Sequence, residues 1–117
     1  MNSYTMKIYH NPRCRKSRET LTVLEGKGLK PEIVLYLESP PSREELKEIL
    51  KMLGISASEL VRKGEQVYKD HFKGKTLTEE EWLDALLQYP KLIERPIVVK
   101  GKKAVIGRPP EKVEELL

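Results

Sequence analysis

The spacing of apolar residues changes period several times along the chain, and each change marks an element. Residues Lys7 to His10, with Tyr4 to Met6 leading in, have the character of a short strand, and Asn11-Pro12 then signals a turn. After the turn Ser17, Leu21 and Leu24 fall at i, i+4 and i+7, one face of a helix that Gly26 and Gly28 close. Glu32 to Leu37 is apolar and β-rich, a second strand. Strand, helix and strand in about 30 residues make a βαβ unit, most simply with the strands parallel. The pattern then turns helical. Ser42-x-x-Glu45, Ser56-x-x-Glu59 and Thr78-x-x-Glu81 each match the capping box, in which side chain and backbone satisfy each other's exposed donors. Leu46, Ile49, Leu50 and Leu53 follow the first box at helical spacing up to Gly54; Trp82, Leu83, Leu86 and Leu87 follow the third until Pro90. Residues from about 42 to 89 therefore read as a run of helices. Strand character returns at Pro96 to Val99, Gly101 turns a hairpin, and Ala104 to Ile106 form the return strand. Pro109-Pro110 opens a last short helix, Glu111 to Leu117, with proline where its missing N–H does no harm.

The order βαβ, helical block, ββα is that of an α/β, thioredoxin-like fold with a central helical insertion at about 42–89. No internal repeat, low-complexity tract or linker interrupts it, so residues 1–117 are expected to form a single domain. The chain is 38% hydrophobic and 34% charged, an ordinary balance for a soluble globule, and no run of about 18 apolar residues offers a membrane span. Met1 to Lys7 lacks the apolar stretch of a secretory signal, which makes a cytoplasmic address the expectation. A net charge of +4 points to anionic partners. Lys and Arg are interleaved with Glu, however, and the one Trp, five Tyr and one Phe do not alternate with them as a base-stacking platform would require. A small anion fits better than a nucleic acid.

One cysteine, Cys14, cannot make an internal disulfide, so its thiol is either a core filler or a reactive group. Its position decides for the second. It sits in the turn between a strand and a helix, off the apolar face, where the first helical turn presents free backbone N–H groups and the positive end of the dipole. Arg13, Arg15, Lys16 and Arg18 add positive charge nearby. Such surroundings lower a cysteine pKa from about 8.5 to between about 3.5 and 7.5, so that much of the thiol is ionised before a substrate arrives. Ser17 stands where Cys-x-x-Cys proteins carry a resolving thiol, so an adduct on Cys14 must be released by an outside thiol, glutathione or a glutaredoxin. The Ser17 hydroxyl is expected to bond the thiolate or to cap the helix. His10, His71 and Cys14 lack any metal-ligand spacing, and no metal is expected.

His10-Asn11-Pro12-x-Cys14-x-x-Ser17-Arg18, Glu94-Arg95-Pro96-Ile97 and Ile106-Gly107-Arg108-Pro109-Pro110-Glu111 together closely resemble the glutaredoxin-coupled arsenate reductase family, which includes ArsC-, YffB- and Spx-like proteins. The resemblance runs from Lys7 to about Leu116 and again implies a thioredoxin-like sheet with a helical insertion. It implies that Cys14 attacks arsenate to give a thiol–arsenate ester, with no bound cofactor. Glutathione is implied as co-substrate and glutaredoxin as the partner that turns over the mixed disulfide. It implies further that Arg62, Arg95 and Arg108 hold the oxyanion, that His10 assists the thiolate, and that the Arg95–Pro96 peptide is cis beside the reactive loop. An arginine fork matches oxyanion geometry as a lysine does not. Arg15-Lys16 makes the loop more basic than small residues would, as in the Spx-type regulators, but Ser17 removes their Cys-x-x-Cys switch.

Three functions are compatible with these residues. The first is an arsenate reductase using glutathione and glutaredoxin. The second is a glutathione-dependent disulfide reductase or deglutathionylase, which needs the same Cys14 but a groove for a peptide-like substrate. The third is an Spx-type regulator that binds RNA polymerase, for which Cys14 would be dispensable.

Overall fold

The computed structural model describes residues 6–117, so the expected lead-in at Tyr4 and Thr5 lies outside the described residues. The chain divides into two compact units, one made of the segments ending at Ser39 and beginning at Arg95, the other of Pro40–Glu94.

The first unit is built on four strands, β1 (Met6–Tyr9), β2 (Glu32–Val34), β3 (Ile97–Lys100) and β4 (Lys103–Ile106), in the order β2-β1-β3-β4. β1 pairs parallel with β2, as a right-sized βαβ crossover requires, and antiparallel with β3; β3 and β4 form the hairpin. Gly101 at the hairpin turn has φ +62°, a backbone state that favours glycine. Ile97, Val98 and Val99 are all buried, the continuous apolar run of a central strand, whereas Glu32 and Ile33 on the edge strand β2 are exposed. Helix α1 (Arg15–Gly26) buries Leu24 against Ile8, Val98, Val113 and Leu116, which places the C-terminal segment on the same core. That segment, expected as a short helix over Glu111 to Leu117, is a 3₁₀ helix over Pro110–Leu116.

β2 also ends earlier than its composition suggests. The N–H groups of Glu38 and Ser39 both donate to Leu35 O at 2.9 Å, so the chain turns at Tyr36 instead of continuing to Leu37. β1 is followed by one more ladder bond, from His10 N–H to Val34 O at 2.8 Å, which holds the start of the cysteine loop against the sheet.

The second unit contains α2 (Arg43–Leu53), α3 (Gln66–His71) and α4 (Glu79–Gln88). Ser42 with Glu45 and Thr78 with Glu81 form complete, reciprocal capping boxes, and Gly54 at φ +71° closes α2. The match at Ser56 does not cap an α-helix. Ser56 N–H donates to Glu59 Oε1 at 3.0 Å, but the Glu59 N–H donates to the Ser56 carbonyl, and only a 3₁₀ turn, Ser58–Leu60, follows. Val61 then bridges Ile93 in extended conformation, with Arg62 N–H donating to Leu92 O at 2.7 Å and Glu94 N–H to Leu60 O at 2.9 Å. That pairing removes the chain from any helix. Leu46, Leu60, Leu83, Leu86 and Leu92 are buried here, and Trp82 stacks with Tyr68 and meets Phe72 at a tilt. Among the described residues no helix is long and apolar enough to cross a membrane.

Candidate active site

Cys14 is the N-cap of α1, with extended backbone (φ −92°, ψ 121°) and a half-buried side chain. The Asn-Pro turn sets this up. Cys14 N–H donates to Asn11 O at 2.9 Å, Arg13 N–H donates to Asn11 Oδ1 at 3.0 Å, and Arg18 Nη1 donates to Pro12 O at 2.8 Å. The sulfur is thereby left facing the first turn of the helix. Burial alone pushes its pKa up, but this is outweighed by the Ser17 N–H, by the hydrogen bond and charge of the Arg95 guanidinium, and by the Lys16 N–H, so the thiol lies below its ordinary value.

The cation that reaches the sulfur is thus distant in sequence. Three of the four adjacent basic residues are engaged elsewhere: Arg15 pairs with Glu19 at 3.2 Å, Lys16 with Glu19 at 3.6 Å, and Arg18 with the Pro12 carbonyl. Arg95 ends the segment entering β3, its peptide to Pro96 is cis, and its guanidinium is held between Cys14 and the buried Tyr36. Burial lowers the Arg95 pKa, but Tyr36 and the Cys14 thiolate raise it further, so this arginine stays charged. Tyr36 lies inside the run read as strand, where nothing but its turn position distinguishes it.

His10 and Ser17 are both buried, and His10 Nδ1 and Ser17 Oγ share a 2.6 Å hydrogen bond whose proton sits according to the imidazole tautomer. Ser17 Oγ also accepts from Asn11 N–H at 3.1 Å. The hydroxyl therefore neither caps α1 nor carries the contact to the sulfur; the Ser17 backbone amide does that. Burial, then the Arg18 charge, lower the His10 pKa against a smaller opposing effect of Glu25, which favours the neutral ring. Arg108 follows β4, is exposed, and has a cis peptide to Pro109; among the described residues no ion pair or side-chain hydrogen bond holds its guanidinium. Arg62 lies in the second unit, its Nε 3.6 Å from Glu94 and its Nη1 4.0 Å from Glu65.

A sheet of this order, with α1 crossing from β1 to the parallel β2 and the β3–β4 hairpin returning beside β1, defines an α/β protein of the thioredoxin-like class. The chain belongs to the ArsC family, whose model matches residues 9–116. It is 53% identical to the uncharacterised Escherichia coli K12 protein YfgD, covering 96% of each chain. It is 48% identical to an arsenate reductase of Haemophilus influenzae, covering 94% of this chain and 97% of that one. The solved arsenate reductase from Vibrio cholerae superimposes with a TM-score of 0.93 at 46% identity, over 99% of this chain and all (100%) of the other. That match carries the thioredoxin-like fold.

Proposed function

We propose that this chain is an arsenate reductase in which the Cys14 thiolate attacks arsenate. The observation that carries the reading is the environment of the sulfur: Arg95 and the Lys16 and Ser17 N–H groups converge on it at the start of α1. A thiolate is stabilised there, and so is the negative charge of an incoming oxyanion, because the same donors face both. Relatives named arsenate reductases, at 43% identity in Neisseria meningitidis as well as 48% in H. influenzae, support arsenate as the substrate.

In this reaction the Cys14 thiolate forms an S–As bond while one arsenate oxygen leaves, protonated, as water. The two electrons that convert As(V) to As(III) come from two thiols, Cys14 and glutathione, which end as a mixed disulfide while arsenite departs. Glutaredoxin then returns Cys14 to the thiol by exchange. An outside reductant is required because the chain has one cysteine. The setting is the reducing cytoplasm, where free glutathione is maintained.

Arg95 stabilises the thiolate and the oxyanion, and Arg108 supplies a second fork from the end of β4. Arg62 enters this reading only through the family resemblance. His10 and Ser17 hold the loop, the His10 ring fixing Ser17 through the bond to its hydroxyl. Pro96 packs beside the site.

The test is arsenite formation from arsenate with glutathione and glutaredoxin. Wild-type protein is expected to produce it and Cys14→Ser protein to produce none. A wild-type chain that makes no arsenite but releases glutathione from a glutathionylated protein would replace this reading with the deglutathionylase one.

A further inference from the structure

Thr20 lies further along α1 than Cys14 and is fully buried, at 0% exposure. A threonine in a helix commonly bonds the carbonyl four residues back, as exposed Thr22 does to Arg18 O. Thr20 does more. Its hydroxyl lies 2.9 Å from Lys16 O and 2.9 Å from Gly107 O, bridging the helix to the chain that leaves β4. Gly107 is pressed against it. A Cβ at that position would meet Thr20 Cγ2 at 2.8 Å, Thr20 Oγ1 at 3.0 Å and Pro96 Cγ at 3.1 Å. Gly107 N–H donates in turn to Pro96 O at 2.8 Å.

Each member of this contact adjoins a member of the site. Lys16 gives its N–H to the Cys14 sulfur, Pro96 follows Arg95, and Gly107 precedes Arg108. We propose that Thr20 is a positioning residue: through its close contact with side-chain-free Gly107 it sets the spacing between the helix that carries Cys14 and the chain segments that carry Arg95 and Arg108. The proposal rests on the reading of Cys14 and Arg95 as the reacting centre. Thr20 touches no substrate and acts through the geometry of others.

Three variants test it: Thr20→Val, which keeps the shape and removes the hydroxyl; Thr20→Ser, which keeps the hydroxyl; and Gly107→Ala, which forces the contact apart. For each, the Cys14 thiolate is titrated by its ultraviolet absorbance and kcat and KM for arsenate are measured beside the melting temperature. Thr20→Val and Gly107→Ala are expected to move the Cys14 titration to higher pH and raise KM about tenfold, as small misplacements of reacting groups do. Thr20→Ser is expected to stay within about twofold of wild type. A Thr20→Val protein that melts earlier but keeps the wild-type titration and KM would overturn the proposal, since a merely structural threonine behaves so. If Thr20→Val does not fold, Gly107→Ala decides: an unshifted titration in that folded variant overturns the proposal equally. A wild-type chain that forms no arsenite, with the titration still shifted in Thr20→Val, would sink the arsenate reading and leave the positioning role standing.

Discussion

At Cys14 two effects of the fold oppose each other. Partial burial resists ionisation, while the Ser17 and Lys16 amides and the Arg95 guanidinium favour it and win. The folded pKa is therefore depressed, and the reactive form grows as pH rises through that lowered value. Arsenite formation is expected to climb over the same range and to level off before the pH at which a free thiol ionises; a profile still rising at that pH would contradict the account. Arg95→Ala removes the guanidinium that bonds the sulfur and should lower kcat/KM about 10²- to 10³-fold, the loss typical of an oxyanion donor. The residues of this site were unequally legible in the sequence. Cys14 could be read because it falls in the Asn-Pro turn, outside the apolar stripe of the helix. The local cations mislead, since Glu19 and the Pro12 carbonyl hold Arg15, Lys16 and Arg18, and Arg95 is recovered only through its family motif. Tyr36 and Thr20 carried no signal, because a buried tyrosine in an apolar run and a helical threonine are both common.

Element by element, the capping boxes show what a motif can and cannot predict. The matches at Ser42 and Thr78 precede apolar residues at helical spacing, and there both halves of the box form. Behind Ser56 the apolar pair Leu60-Val61 is followed by Arg62-Lys63-Gly64, and the pairing of Val61 with Ile93 draws the chain into extended form. The same four-residue pattern thus stabilises a 3₁₀ turn. Substitution should separate the cases. Ser42→Ala and Thr78→Ala are each expected to lower unfolding free energy by about 1 kcal/mol, and Ser56→Ala by no more than about 0.5 kcal/mol, measured by urea denaturation. β2 was overextended for a related reason. Apolar composition marks burial, and the hydrogen bonds returning to Leu35 O that end the strand leave no trace in it.

For the molecule as a whole, the decisive number is its single cysteine. A lone thiol can be oxidised only against an external partner, so arsenate and glutathione supplied without glutaredoxin should leave one glutathione on each chain. Mass spectrometry of the intact protein should find it on wild type and not on Cys14→Ser. The β1–α1–β2 order and the hairpin that returns beside β1 were readable from periodicity and turn residues. What periodicity does not encode is that this topology brings the entrance of β3 to the N-terminus of α1, and with it Arg95 to the sulfur. The most direct measurement is a titration of the Cys14 thiolate by ultraviolet absorbance in wild type and in Arg95→Ala. The account predicts a wild-type midpoint below that of a free thiol and a higher one in the variant. A wild-type midpoint at or above the free-thiol value, unmoved by loss of the guanidinium, would contradict it.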